Sequence, residues 1–173
     1  MLPWPEGDFG MLNPIISGVP TNLEIITEGA RNTITIPLAQ SEDGSIWVAV
    51  EARLWGGHWR GTEVHEFKFV IIVYDDETGD SIEIFDRYMA AGYLGCVRGL
   101  VMPCVCGAAE ALMKGVQPPV IYRATYITQP GKKELCKHQM ITDTIVRIGY
   151  EIIQEGTDGL FRRFWIMTRN GDA

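Results

Sequence analysis

The chain has 173 residues, of which 46% are hydrophobic and 21% are charged, and its formal net charge is −7 at pH 7. A chain of this length and composition can bury the core of one ordinary globular domain, which argues against a disordered or low-complexity protein. The net acidity also argues against broad nucleic-acid binding.

The charge is distributed unevenly along the chain. Residues 1–86 contain 15 acidic and 4 basic side chains, whereas residues 87–173 contain 7 acidic and 11 basic ones. Such asymmetry is typical either of an anionic ligand on the basic half or of two halves that attract each other within one fold. We favour the second explanation.

Two features of the sequence bear on its location. No run of apolar residues reaches the roughly 20 that are needed to span a bilayer. The opening segment, MLPWPEGDFG, lacks the basic and apolar regions of a secretory signal. We therefore expect a cytoplasmic protein without a membrane partner, in which the four cysteines are reduced thiols.

The first half of the chain predicts an arm followed by strands. Residues 1–20 are rich in proline and glycine and are expected to form an irregular arm on a single domain that spans residues 21–173. Two short strands are predicted within residues 22–38, around a turn at Glu28–Gly29. Residues 45–55 alternate in polarity, which predicts another strand.

The strongest strand signal lies at residues 63–74, where β-branched and aromatic residues dominate. We expect this strand to be central in its sheet, because central strands are buried on both faces. A hairpin turn at residues 75–80 is predicted to lead into a returning strand at residues 81–86.

The second half of the chain predicts two helices. A helical pattern runs from Asp86 to Lys114, with a kink or restart at Pro103. A strand at residues 118–128, an amphipathic helix at 132–149 and two last strands around a turn at 157–159 complete the chain. This order predicts a single-domain α+β fold, in which about two main helices pack on a mostly antiparallel sheet.

Cys104 and Cys106 are separated by one residue, and three roles are open to them. In a helix they point about 200° apart and cannot bind one metal together, whereas in a turn they form a zinc ligand set with Cys136 and His138. A thiolate nucleophile at Cys104, with His138 as its base, is the second alternative. We favour the third, that both cysteines are buried packing residues, and we expect no metal.

The segment at residues 54–61, LWGGHWRG, is predicted to hold Trp55, His58, Trp59 and Arg60 in a glycine-rich loop. Trp55, Trp59 and Arg60 on such a loop are suited to contact with a ligand or a partner. The alternative is that both tryptophans fold back onto the core.

The order of elements over residues 45–168 resembles that of the GNAT-type (Gcn5-related) N-acyltransferases. In that family a strand leads into a loop of pattern Q/R-x-x-G-x-G/A at the start of a helix. The segment RYMAAG is similar to this loop, because Arg87 and Gly92 match and Ala90 stands where the first glycine is expected. Gly149 and Tyr150 resemble the family's passage from helix to strand.

The resemblance implies that the protein transfers an acyl group from acetyl-CoA or another acyl-CoA to the amine of a small molecule or peptide. The implied coenzyme-binding residues, whose backbone N–H groups would hold the pyrophosphate, are Arg87, Ala90, Ala91 and Gly92. The implied acid–base residues are Glu66 or Glu51 as the base that deprotonates the amine, and Tyr126 or Tyr122 as the proton donor to sulfur.

The chain departs from the family in ways that keep other functions open. Ile145 stands where the family often has a general-acid tyrosine, and the usual pair of helices near the N-terminus is not evident. A non-enzymatic binding protein is the alternative; it would use residues 54–61 and the arm on a partner, with a second copy of the chain as one candidate. A thiol or metal protein would depend on the cysteines alone.

Overall fold

The computed structural model describes residues 12–85 and 87–171. Its strands are β1 (Asn13–Pro14), β2 (Ile26–Glu28), β3 (Arg31–Gln40), β4 (Ile46–Trp59), β5 (Thr62–Asp75), β6 (Asp80–Ile84), β7 (Val120–Ala124), β8 (Tyr150–Thr157) and β9 (Arg163–Arg169). Its helices are α1 (Arg87–Leu94), a 3-10 helix (Gly95–Leu100), α2 (Val101–Val116) and α3 (Lys132–Arg147).

Within the described residues, the nine strands form one sheet of order β1-β3-β4-β5-β7-β9-β8, with β2 beside β3 and β6 beside β5. Every pairing is antiparallel except that of β5 with β7, which the helical crossover between them makes parallel. The predicted α+β fold, with two long helices on a mostly antiparallel sheet, is confirmed at this level.

The core lies between one face of the sheet and the two long helices. Val48, Val50, Ala52 and Leu54 alternate along β4 and are fully buried on the face that packs against α2. Each valine or leucine buried in this way stabilises the fold by roughly 1.5–3 kcal/mol. The strand predicted at residues 45–55 is therefore confirmed.

The position predicted for residues 63–74 is also confirmed. β5 pairs with β4 along its whole length on one edge and with β6 and β7 on the other. Phe67, Ile71 and Val73 are buried toward the helices, while Val70 and Ile72 are buried on the opposite face. Burial on both faces explains the nearly continuous apolar run in the sequence.

The loop predicted at residues 56–61 is wrong. β4 and β5 stay paired as far as Trp59 and Thr62, so that Arg60 and Gly61 alone make the turn. Both have positive φ angles, 50° and 82°, as a two-residue hairpin turn that follows the twist of its strands requires. Glycines that suggested a loop in the sequence are ladder residues here, and the tryptophans lie at the end of a long hairpin.

The described end of the predicted arm is attached to the domain. Asn13 and Pro14 pair with β3, and the chain then crosses α2 at its glycines. A Cβ on Gly107 would lie 2.7 Å from Cγ1 of Val19, and one on Gly115 would collide with Ile25. Residues 1–11 of the predicted arm lie outside the described residues.

The single helix predicted from Asp86 to Lys114 is wrong in detail, because three helical segments replace it. α1 and α2 are separated by the 3-10 helix, in which Gly95 has a positive φ of 42°. The restart comes at Val101, two residues before Pro103. Proline is tolerated there, because the N–H groups of the first turn have no partner within the α-helix.

One helical segment bears on the expectation that no apolar run is long enough to span a membrane. Residues 97–116 are long and apolar enough to do so by length and composition, with a mean hydropathy of 1.3. Core helices pass the same test. α2 buries one side, including Val105, Ala109 and Leu112, in the core of the domain.

The hairpin turn generates a stability prediction. Gly61→Ala should lower the free energy of unfolding by about 1 kcal/mol, because alanine resists the positive φ that this position requires. Gly57→Ala is the matched control, since its Cβ meets no atom closer than 3.9 Å and its φ is not positive. Urea unfolding of both variants checks this, and equal stabilities would contradict the assigned turn.

Candidate functional site

The sheet has a split between β5 and β7. Their ladder consists of two residue pairs, His65 with Ile121 and Glu66 with Tyr122. On the same edge of β5, pairing with β6 begins only at Ile71. Residues 67–70 therefore have no strand partner on this edge in the described part of the chain, and such an edge is open to added backbone-like groups.

A tyrosine from the loop after β7 fills the split. The Tyr126 hydroxyl donates a hydrogen bond to the Phe69 carbonyl oxygen at 2.8 Å and accepts one from the Phe69 N–H at 3.1 Å. Its ring lies edge-on to the Phe69 ring, with centroids 6.2 Å apart, and 6.1 Å from the ring of Phe85. One side chain thus satisfies both backbone groups of Phe69 at the open edge.

The electrostatic surroundings keep the Tyr126 proton in place. Burial raises the pKa of Tyr126 well above its ordinary value, and the Glu66 carboxylate raises it further, whereas the Phe69 hydrogen bond lowers it. Burial and the Glu66 charge likewise raise the pKa of Tyr122. At neutral pH both phenols are protonated.

Glu66 lies at the closed end of the split. It is paired with Tyr122 across the ladder, and its carboxylate forms an ion pair with Lys68 Nζ at 3.0 Å. Glu66 and Tyr122 are thus ladder partners, and Tyr126 contacts β5 three residues beyond Glu66, at Phe69.

Glu51 is placed differently. It lies one strand away, on β4 opposite Val70, and it is buried. Its carboxylate accepts hydrogen bonds from Arg53 Nε at 2.6 Å, the Tyr74 hydroxyl at 2.9 Å and Thr35 Oγ1 at 3.3 Å. With both oxygens engaged, this carboxylate ties three strands together. Arg53 extends the network to Glu83 on β6 at 2.5 Å.

Residues 87–92 are helical, which corrects the prediction of a coenzyme loop. They lie in α1, so the N–H groups of Ala91 and Gly92 are directed to carbonyls one turn earlier. Ala90 and Ala91 are half-buried, whereas Gly92 is exposed, and a Cβ at Gly92 would meet no atom within 4 Å. The side chain of Arg87 lies outside the described residues.

The positions of the cysteines in α2 and α3 bear on the three roles that the sequence left open for them. Cys104 is fully buried in α2, where burial raises the pKa of its thiol and disfavours the thiolate that a nucleophile needs. Cys106 is half-buried and Cys136 on α3 is exposed. Among the described residues, no group of three or more His, Cys, Asp or Glu side chains is arranged to hold a metal ion.

A buried arginine was missed from the sequence. Arg123 on β7 is 1% exposed, and its Nη1 donates to Thr142 Oγ1 at 2.6 Å while Nη2 lies 3.1 Å from His138 Nδ1. Its Cζ lies 5.1 Å from the ring centroid of Trp165. Burial lowers the pKa of Arg123 to about 9. Alternation along β7 places Arg123 on the same face as the buried Ile121. This pattern could have indicated from the sequence that Arg123 is buried.

The contact with Arg123 involves one of the two ring nitrogens of His138. A guanidinium only donates, so in a hydrogen bond with Nη2 it is Nδ1 that accepts, and Nε2 is the other ring nitrogen. That nitrogen is 3.3 Å from Glu134 Oε1, which is ion-pair distance without hydrogen-bond alignment. No carboxylate in the described residues pairs directly with Arg123, and the imidazole of His138 lies between its guanidinium and Glu134.

A cavity of about 440 Å³ lies between α3 and the β8–β9 hairpin, and it too was missed from the sequence. Gln129 and Phe161 on its rim have positive φ angles of 50° and 59°, and the Gln129 N–H donates to the Phe161 carbonyl at 2.8 Å. Arg163 and Glu155 form an ion pair at 3.2 Å on its wall. The residues that form it are distant in sequence, so no local motif indicates it.

No protein-family model matches this chain, and no curated protein matches it at a significant level. The geometry of the split in the sheet and the groups around it are therefore the basis for assigning a function.

The Glu51 network generates a pH prediction. Burial, followed by the hydrogen bond to Glu51, raises the pKa of Tyr74 to about 12. The folded state therefore holds this proton more tightly than the unfolded state, in which tyrosine has a pKa of about 10. The stability that this group contributes is present below about pH 10 and is lost as pH rises through the folded-state pKa.

Tyr74→Phe should accordingly lose less unfolding free energy than the wild type when pH is raised through that window. Urea unfolding at a series of pH values measures the two curves. Parallel curves for the two proteins would show that Tyr74 titrates normally in the folded state.

Proposed function

We propose that the protein is an N-acyltransferase that uses acetyl-CoA or another acyl-CoA and acts on an amine. The observation that carries this proposal is the open edge of β5 at Phe69, which the Tyr126 hydroxyl contacts and which follows the Glu66–Tyr122 pair along the strand. The sheet order, with one parallel pair joined by α2 and a final hairpin, supports the resemblance to the GNAT-type enzymes.

The open edge is suited to the arm of coenzyme A. That arm is an extended chain with two amide groups, and an extended amide chain binds a free strand edge through main-chain hydrogen bonds. The Phe69 N–H and carbonyl are directed to this edge, as their bonds to Tyr126 demonstrate. A gap of residues 67–70 admits a short extended segment between β6 and β7.

The start of α1 is suited to the other end of the coenzyme. Phe85, whose ring contacts Tyr126, lies two residues before Arg87, so α1 begins close to the split. The first N–H groups of a helix have no partner within it, and with the helix dipole they attract phosphate. On this proposal the free N–H groups of the first turn, at residues 87–89, hold the diphosphate, and Ala90, Ala91 and Gly92 form the helical turn behind them.

The reaction proceeds by direct transfer. The amine nitrogen attacks the thioester carbonyl, a carbon–nitrogen bond forms, and the carbon–sulfur bond breaks. Glu66, directly or through a water, takes the proton that the amine loses. Tyr126 gives its proton to the departing sulfur, with Tyr122 as the neighbouring alternative. The acidic side chains of Glu66 and Glu83 favour the approach of a cationic acceptor.

A second candidate function is favoured by the hairpin end. Trp55 and Trp59 are 55% and 61% exposed there, with Arg31 and Arg60 over their respective rings. Exposed tryptophans with arginine are enriched at the centres of protein interfaces. On this alternative the hairpin docks on a partner and the protein is not an enzyme.

Coenzyme binding separates the two candidates. Acetyl-CoA at one hundred times its dissociation constant should stabilise the folded protein by about 2.7 kcal/mol, which is measured as a rise in melting temperature. If acetyl-CoA at millimolar concentration does not bind, the acyltransferase proposal fails and the end of the β4–β5 hairpin remains as the candidate site.

Replacement of the proposed base generates the catalytic prediction. Glu66→Gln should lower kcat/KM by roughly 10²–10⁴-fold in a thiol-release assay with an amine acceptor, because no carboxylate remains to take the proton. Binding of acetyl-CoA should be unchanged. Glu63→Gln, on the same strand but outside the split, is the control. An unimpaired Glu66→Gln enzyme would remove Glu66 from the mechanism.

A further inference from the structure

The geometry points to a second role for Tyr126, which rests on the proposed function: in the free protein its hydroxyl occupies the place of a ligand amide, and the incoming coenzyme arm displaces it. The displaced hydroxyl is then free to protonate the sulfur. Binding of the coenzyme and freeing of the Tyr126 hydroxyl are thus one event.

The hydrogen-bond geometry requires this competition. The Phe69 N–H has a single proton, and it is given to the Tyr126 hydroxyl at 3.1 Å. The same hydroxyl gives its own proton to the Phe69 carbonyl at 2.8 Å. While both bonds hold, the amide of an extended ligand cannot pair with Phe69, and the hydroxyl proton cannot reach a sulfur atom.

The side chain can leave without moving its loop. Tyr126 is 39% exposed, and its neighbours Phe85 and Ile127 are 67% and 50% exposed, so an outward rotation gives up mainly the ring contacts with Phe69 and Phe85. The loop itself is fixed on either side of Tyr126. The Thr125 N–H donates to the Arg163 carbonyl at 2.8 Å, and the Gln129 N–H donates to the Phe161 carbonyl at the same distance.

The contact with Phe69 also keeps the Tyr126 hydroxyl from reacting with other groups before the coenzyme is bound. A phenol that is bound to backbone groups is shielded from other acceptors. The arm that takes over the Phe69 N–H brings the thioester into the same split, so the hydroxyl becomes available only when a leaving group is close by.

Tyr126→Phe tests the inference, because it keeps the ring contacts with Phe69 and Phe85 and deletes only the hydroxyl. Acetyl-CoA should bind this variant roughly 5- to 30-fold more tightly, the ratio that corresponds to one or two neutral hydrogen bonds no longer displaced. Turnover should fall at least roughly 100-fold, because the acid is lost. Tyr74→Phe, which deletes a phenol bonded to Glu51 and not to Phe69, should bind as the wild type does.

The outcomes separate the two proposals. If the wild type binds acetyl-CoA and Tyr126→Phe binds it equally or more weakly, the displacement is overturned while the acyltransferase proposal stands. If neither protein binds acetyl-CoA by calorimetry at millimolar concentration, the acyltransferase proposal fails and the inference fails with it.

A measurement on the free proteins tests the starting contact by itself. Hydrogen exchange of the Phe69 amide should be faster in Tyr126→Phe than in the wild type, since its acceptor has been removed. Exchange in the rest of β5, at Ile72 for example, should be unchanged. Equal exchange at Phe69 in the two proteins would show that the hydroxyl does not hold this amide.

Discussion

The candidate site depends on the early end of the ladder between β5 and β7. β7 forms five residue pairs with β9 and two with β5. β7 therefore separates from β5 and remains paired with the β8–β9 hairpin. Arg123, on the inner face of β7, reinforces this direction because its guanidinium bonds to Thr142 and lies against His138 on α3. Had the strands stayed paired, Phe69 would have had a strand partner and the sheet would have offered no opening.

The burial of Arg123 on the inner face of β7 is electrostatically unfavourable, and its role beside the split offers a reason for it. A buried cation with neutral acceptors alone around it is unfavourable compared with an apolar residue of similar size. Here the indole of Trp165 and the His138–Glu134 pair moderate that cost. Arg123 thus fixes β7 to α3 rather than to β5, and a rigid support of this kind is what a site needs in order to hold reacting groups in place.

Local patterns predicted the strands well and the site poorly. Alternation at β4 and the apolar run of β5 are read within one element, so both were found. The turn at residues 60–61 was missed because the glycines before it suggested a loop, whereas cross-strand pairing keeps them in the ladder. The end of a ladder, the contact of Tyr126 with Phe69 and the position of Arg123 beside α3 depend on residues far apart in sequence. The proposed acid–base residues were named from the family resemblance, and their relative positions could not be predicted.

The most direct test of the proposed site is nuclear magnetic resonance of the uniformly ¹⁵N-labelled protein during titration with acetyl-CoA. We expect saturable shifts of the backbone amides of residues 66–70, led by Phe69, with the hairpin end at residues 57–61 unaffected. Shifts confined to the hairpin end or to the cavity beside α3, with the Phe69 amide unmoved at saturating coenzyme, would contradict the assignment of the site to the split.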